Sequence, residues 1–366
     1  MISTCRIAHR CHLVTLALTL AALAVGTAPA GAQTPAVTYT VVELGTLADP
    51  GLPQIVRALN DSDEVVGGGR SGRGHKAFVL TLGRGPLEDI EDLPGSDFST
   101  AFGINGIGEV AGSANTTVAV RAFRSLRTGG TQDLGTLPGD SASQGFAIND
   151  GGDVAGFSSG PTGIRAVVWP RNKAARALPG LPGSNTSKAL AINEKGNAAG
   201  ISQSGSDTHA VRWDGNAIQD LGTLPGTSFS EGLGINKKDV VVGSSGDATG
   251  ARRAVLWEPG FAIKDLGVLP GGDSSRALGI NERDEVVGTS ESLLGSRAFV
   301  WTADAGMRDL NTLVPSGGGF ILVQAVAINK KGTILALGRD DLGEGPDHGH
   351  DAHEFPIRVF LLNPTP

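Results

Sequence analysis

Along the chain, apolar positions come in short runs of four to six residues broken by glycine, proline and small polar residues, with no 3.6-residue periodicity sustained long enough for a helix. The runs repeat. A stretch of the form small-x-small-(Ile/Leu)-Asn ends at Asn60, Asn105, Asn149, Asn193, Asn236, Asn281 and Asn329, at spacings of 45, 44, 44, 43, 45 and 48 residues. Trp169, Trp213, Trp257 and Trp301 follow one another at 44 residues, and Leu80 and Leu362 fill the same slot in the first and last copies. Each copy holds four β-type runs, exemplified by Ala101-Phe-Gly-Ile-Asn105, Glu285-Val-Val-Gly-Thr-Ser290, Arg297-Ala-Phe-Val-Trp301 and Gln132-Asp-Leu-Gly-Thr-Leu-Pro-Gly139. Four strands per unit of about 44 residues is the arithmetic of a β-propeller blade.

The ends of the chain bear on whether the array closes. The first three runs occur seven times between residues 55 and 362, whereas the fourth is missing after the last copy and stands instead at the N-terminus, as Val42-Glu-Leu-Gly-Thr-Leu47. An N-terminal strand completing the last blade would close the ring without exposed edges. The sequence therefore predicts an all-β, seven-bladed β-propeller with four-stranded blades over residues 33–366, closed by the N-terminal strand. In that arrangement the run ending in Asn is innermost. Its residue two before Asn is always Gly or Ala, as crowding near an axis requires.

Composition narrows the class of function. Fifty-five Gly and 19 Pro suit many tight turns, and 18% charged residues exclude a coiled coil. Residues 1–32 carry Arg6 and Arg10, an apolar run from Leu13 to Val25 and small residues up to Ala32, the pattern of a secretory leader cut after Ala30 or Ala32. Both cysteines, Cys5 and Cys11, fall inside it, so the remainder has no disulfide; 28 basic against 37 acidic residues leave it at −9. Without a basic stripe no nucleic-acid partner is expected, and without a second long apolar run no membrane span. The expectation is a monomer, secreted or periplasmic.

The third run with its preceding basic residue, as in Lys76-Ala77-Phe78, Arg297-Ala298-Phe299 and His209-Ala210-Val211, together with the Ile148-Asn149-Asp150-Gly151 and Asp133-Leu-Gly-Thr-Leu-Pro-Gly139 stretches, resembles the bacterial secreted repeat proteins named for a His-Ala-Phe (HAF) motif. The resemblance covers residues 39–363 and implies secretion and a repeat architecture; it carries no catalytic or binding residue across. His stands at the first motif position only at His209.

Columns that recur in every copy read as structural. These include the basic column Lys76, Arg121, Arg165, His209, Arg253, Arg297, Arg358 and the acidic column Glu43, Asp89, Asp133, Asp220, Asp265, Asp309, read as one polar network, and the tryptophans, read as core. Two familiar strings are weak. Gly156-Phe-Ser-Ser-Gly160 matches the hydrolase elbow without the strand-to-helix turn that an elbow needs, and Gly67-Gly-Gly-Arg-Ser-Gly72 lacks the helix that would receive a phosphate. Asp61, Asp63 and Glu64 suggest a calcium loop, but Lys237, Lys238 and Lys330 occupy such positions in other copies.

Ligand chemistry is sought where copies differ. After a repeated serine (Ser99, Ser143, Ser187, Ser230, Ser275), read as a turn cap, the connection into the first run carries Thr100, Gln144, Lys188, Glu231, Arg276 and Gln324, which vary in size and charge and are the candidate ligand-binding residues. Glu231 is expected to be solvent-exposed there. The seventh copy extends its second connection to Arg339–Pro356, holding His348, His350 and His353 with Asp347 and Asp351, a candidate site for a divalent metal, the one cofactor the sequence offers. Both features are expected around one mouth of the channel. The reading is a non-catalytic binding or scaffold module for a polysaccharide, cell-envelope component or protein; the alternative is a secreted hydrolase or lyase using an acid or metal from the blade-seven loop.

Overall fold

Strands Phe98–Ile104, Val110–Asn115, Val120–Leu126 and Gly130–Asp133 pair in that order as an antiparallel meander. In the computed structural model this unit recurs along the chain, with inner strands at Ile55–Leu59, Ala142–Ile148, Thr186–Ile192, Phe229–Ile235, Ser275–Ile280 and Phe320–Ile328. The structure describes residues 37–46, 48–49, 52–53, 55–71, 74–81, 88–127, 129–247, 250–341 and 357–365. Among these the only helical element is a 3-10 turn, Leu310–Thr312, and no helix is long and apolar enough to cross a membrane.

One sheet is built from both ends of the chain, in the order Tyr39–Thr46, Arg358–Pro364, Ile334–Asp340, Phe320–Ile328. The N-terminal strand pairs antiparallel with Arg358–Pro364 from Tyr39 opposite Pro364 to Thr46 opposite Arg358. Tyr39 is buried against Val300, Leu310 and Phe360, and Arg358 holds Glu43 at 2.6 Å.

The core is distributed between neighbouring four-stranded units. Ala191, Ala199, Ile235, Val241 and Trp257 join the units that start at Thr186 and Phe229, and Val56, Leu59, Val65 and Phe78 pack on Leu335, Val359 and Leu361, joining the first unit to the last. All four tryptophans are buried, as their column predicts. The basic column also pairs with the acidic one inside single sheets, at His209–Asp220 (2.8 Å), Arg253–Asp265 (3.2 Å) and Arg297–Asp309 (3.9 Å). Two pairs are re-routed: Lys76 takes Asp92, and Arg165 takes Asp140, because Ala177 stands where its acid would be.

The repeated serines do more than cap turns. Ser230 Oγ accepts from the Ala210 amide (2.8 Å) and donates to the Gly222 carbonyl (2.7 Å), and Ser275 does the same with Ala254 and Gly267. The outer strand shifts register opposite Ala210 and Ala254, so these amides fall out of the ladder. A serine from the next inner strand satisfies them and thereby links adjacent four-stranded units.

Candidate functional site

Every inner strand carries a β-bulge at the same place, three residues before its asparagine. The register shifts lie between Val56/Ala58, Ala101/Gly103, Gly145/Ala147, Ala189/Ala191, Gly232/Gly234, Ala277/Gly279 and Ala325/Ala327. The extra residue of a bulge leaves the ladder and is re-aimed. Here those residues are Arg57, Phe102, Phe146, Leu190, Leu233, Leu278 and Val326, and all seven line one cavity of about 460 Å³. Six are apolar and one is a cation.

The bulge explains two glycine columns. It presses the carbonyl of the residue five before Asn against the second strand: a Cβ on Gly156 would lie 1.9 Å from the Gln144 oxygen, and one on Gly243 1.8 Å from the Glu231 oxygen. No side chain fits, hence the glycine of the Val-x-Gly motif. Two before Asn, a Cβ on Gly103 would lie 3.0 Å from the Ala147 Cα of the neighbouring inner strand, so crowding there is between backbones.

Below the collar the asparagines form a chain of hydrogen bonds. Each Nδ2 donates to the main-chain carbonyl of the next: Asn60 to Asn105, Asn105 to Asn149, Asn149 to Asn193, Asn193 to Asn236, Asn236 to Asn281, Asn281 to Asn329, and Asn329 back to Asn60, over 2.9–3.3 Å. Each Oδ1 accepts from the amide four residues on, as from Glu64 at 3.0 Å and Asp153 at 2.9 Å. The turns beyond are charged. Lys330 reaches Asp61 (3.2 Å) and Asp150 (3.3 Å), and Glu194 is pushed above the usual carboxylate range by burial, with neighbouring Asp150 and Glu282 adding to the rise.

The six candidate ligand residues lie within the inner strands, two positions before the bulge, and not on the connections where the sequence placed them. The meander starts earlier than the variable residues suggest, because the strand pairs from the residue before the repeated serine in most units. Arg276 and Gln324 line the cavity; Thr100 is buried, Gln144 Nε2 donates to Ser113 Oγ (3.1 Å) and the Lys188 ammonium lies 5.2 Å from the Phe157 ring centre. The exposure expected for Glu231 is wrong. It is buried and accepts from Arg276 Nε (2.7 Å), Arg276 Nη2 (2.9 Å), Arg252 Nη1 (2.8 Å) and Ser244 Oγ (2.8 Å), so its carboxylate ties neighbouring sheets together.

The proposed metal residues His348, His350, His353, Asp347 and Asp351 lie outside the described residues. Among those described, no group of three or more His, Cys, Asp or Glu is placed to hold a metal ion. Ile357, the first described residue after that segment, lines the same cavity as Arg276 and Gln324. Ser158 of the Gly-x-Ser-x-Gly string is a buried strand residue that accepts from the Leu137 amide and donates to Asp140 (2.7 Å), with another strand next in the chain. What sequence reasoning missed is the collar. Its signal was available as one Arg in a column otherwise made of Phe, Leu and Val.

No family model and no curated protein matches the chain. Solved structures do. The chain is similar to a puromycin-hydrolyzing peptidase of Mycobacterium tuberculosis (15% identity, TM-score 0.55, covering 85% of this chain and 51% of that one) and to the Pyrococcus horikoshii acylaminoacyl peptidase (10%, TM-score 0.50, 85% and 52%). It also aligns with TolB from Acinetobacter baumannii (11%, TM-score 0.46, 67% and 62%). The chain thus spans about half the length of the two peptidases and 62% of that TolB. At such identities the likeness concerns the fold alone: an all-β protein of β-propeller type.

Proposed function

We propose that the chain is a secreted or periplasmic seven-bladed propeller of the HAF-repeat kind, closed by its N-terminal strand, that binds a ligand at the channel mouth bearing Arg276 and Gln324. Closure is supported by the return of the asparagine hydrogen bonds from Asn329 to Asn60 and by the shared sheet of the two chain ends. The observation that carries the binding role is the convergence of the seven bulge residues on one cavity. Its size falls within the range of about 300–1,000 Å³ typical of small-molecule and cofactor sites. An apolar collar with a few polar groups above it is the usual composition of such sites. The polar groups are pre-set, since Glu231 holds Arg276 in a two-point ion pair.

The test is an array of envelope polysaccharides, envelope extracts and amphipathic small molecules probed with the mature protein, its Phe146→Ala and Gln324→Ala variants, and Phe261→Ser as a remote control at an exposed site. Binding weakened by the first two and untouched by the third is expected. Binding indifferent to both cavity variants would move the site elsewhere, and turnover of any array member would replace the binding role with an enzymatic one.

A further inference from the structure

Arg57 breaks its column. The six other bulge residues are Phe, Leu or Val, which is what a collar of converging strands needs for packing. Arg57 is not retained by a partner: among the described residues it forms no ion pair and donates no hydrogen bond, and its one specific contact is a guanidinium carbon 5.7 Å from the Phe102 ring centre. It stays open to the cavity. Partial desolvation at the collar lowers its pKa, while the side chain stays exposed and charged. Leucine, used at three equivalent positions, would fill the same place in the collar without a charge.

The other charged group lining the cavity, Arg276, is held in a two-point pair by Glu231, a carboxylate that it shares with Arg252. Arg57 is thus the cavity-lining cation without a carboxylate partner among the described residues, set among aromatic and aliphatic side chains. Phe102 and Phe146 meet edge to face at 5.5 Å beside it. A carboxylate matches the single guanidinium in both charge and two-point geometry.

We infer that the cavity takes a small amphipathic monoanion, a carboxylate on an apolar body, with Arg57 as the residue that reads the anionic head. The inference rests on the binding role proposed above and specifies its ligand class. The collar supplies apolar contact for the body, and expulsion of water on binding strengthens the attraction between the head and Arg57.

The experiment titrates the mature protein with decanoate, decan-1-ol and decyltrimethylammonium by calorimetry, for the parent and for Arg57→Leu. Decanoate is expected to bind the parent at least about tenfold more tightly than the alcohol, as a charge-assisted hydrogen bond permits, and the cation most weakly. In Arg57→Leu the preference for decanoate should vanish while the alcohol still binds, and the variant should melt no lower than the parent, because leucine is the column's own residue. A fall in melting temperature with the preference retained would assign Arg57 a structural role and overturn the inference. Equal binding of acid and alcohol to the parent would overturn the anionic head alone and leave the cavity a binding site. If none of the three binds while an array ligand sensitive to Phe146→Ala does, the ligand class is wrong and the mouth is still the site.

Discussion

The Asn329 side-chain amide donates to the main-chain carbonyl of Asn60 at 3.1 Å across 269 residues of sequence, while the same amide also reaches Asp63 at 3.0 Å. The bond makes the last inner strand a neighbour of the first in the same way that Asn105 is a neighbour of Asn149, and each asparagine carries two jobs: tightening its own turn through Oδ1 and joining the next strand through Nδ2.

Because both ends of the amide are used, Asn149→Ala should lose about 1–3 kcal/mol of stability, leaving the half-buried Asp153 amide without its partner and the Asn193 carbonyl with the Gly196 amide alone. Urea unfolding measures it. A loss below about 0.5 kcal/mol, the size of an ordinary surface substitution, would mean that these bonds contribute nothing beyond water's own.

Glu231→Ala should destabilise by about 2–4 kcal/mol, less than for a fully buried pair because Arg252 and Arg276 are more than a third exposed. Gln144→Ala, at the equivalent place with a single hydrogen bond to Ser113, should stay within about 1 kcal/mol. Denaturant curves that rank the two the other way would contradict the burial found for Glu231.

Removing residues 39–46 should expose the edge of Arg358–Pro364 and uncover the surface on which Tyr39 packs, shifting the protein towards aggregates on size exclusion. A truncated chain that stays monomeric and melts like the parent would refute closure by this strand.

The same junction is expected to respond to acid. Its hydrogen bond to Arg358 holds the Glu43 carboxyl below its ordinary value of about 4.3, so its contribution is complete above that pH and is lost as pH falls through the lower, folded-state value. Melting temperatures recorded from pH 6 to pH 3 should fall more steeply for the parent than for Glu43→Gln. Parallel profiles would show that the pair is screened out by solvent.

Trp213→Ala should cost about 3–5 kcal/mol, since the indole is almost fully buried and its Nε1 donates to the Pro179 carbonyl at 2.7 Å. A midpoint shift without change in denaturant slope would attribute the loss to packing.

The repeat, its strands and the pairing of the chain ends were legible because a column of identical residues at a fixed period reports a shared local environment: the tryptophans, the Gly-or-Ala position and the displaced fourth run each announced their place. Their partners were not legible. Six of the seven asparagines find their acceptor 43–48 residues away and Asn329 finds its own 269 away, and a serine's partners belong to the preceding unit. Which variable column faces the cavity was decided only in three dimensions. A bulge adds one residue to a strand and re-aims it, so strict alternation along the sequence assigns neighbouring side chains to the wrong face; Glu231, read as a solvent-facing charge, is locked between two arginines. Arg57 is a single odd member of a seven-residue column, and its meaning emerges only when the bulges bring that column together around one cavity. Sequence periodicity by itself determined which residues are equivalent. Only the tertiary structure decided what they face, because strand register, bulge and neighbouring sheet are relations between segments that no single segment contains.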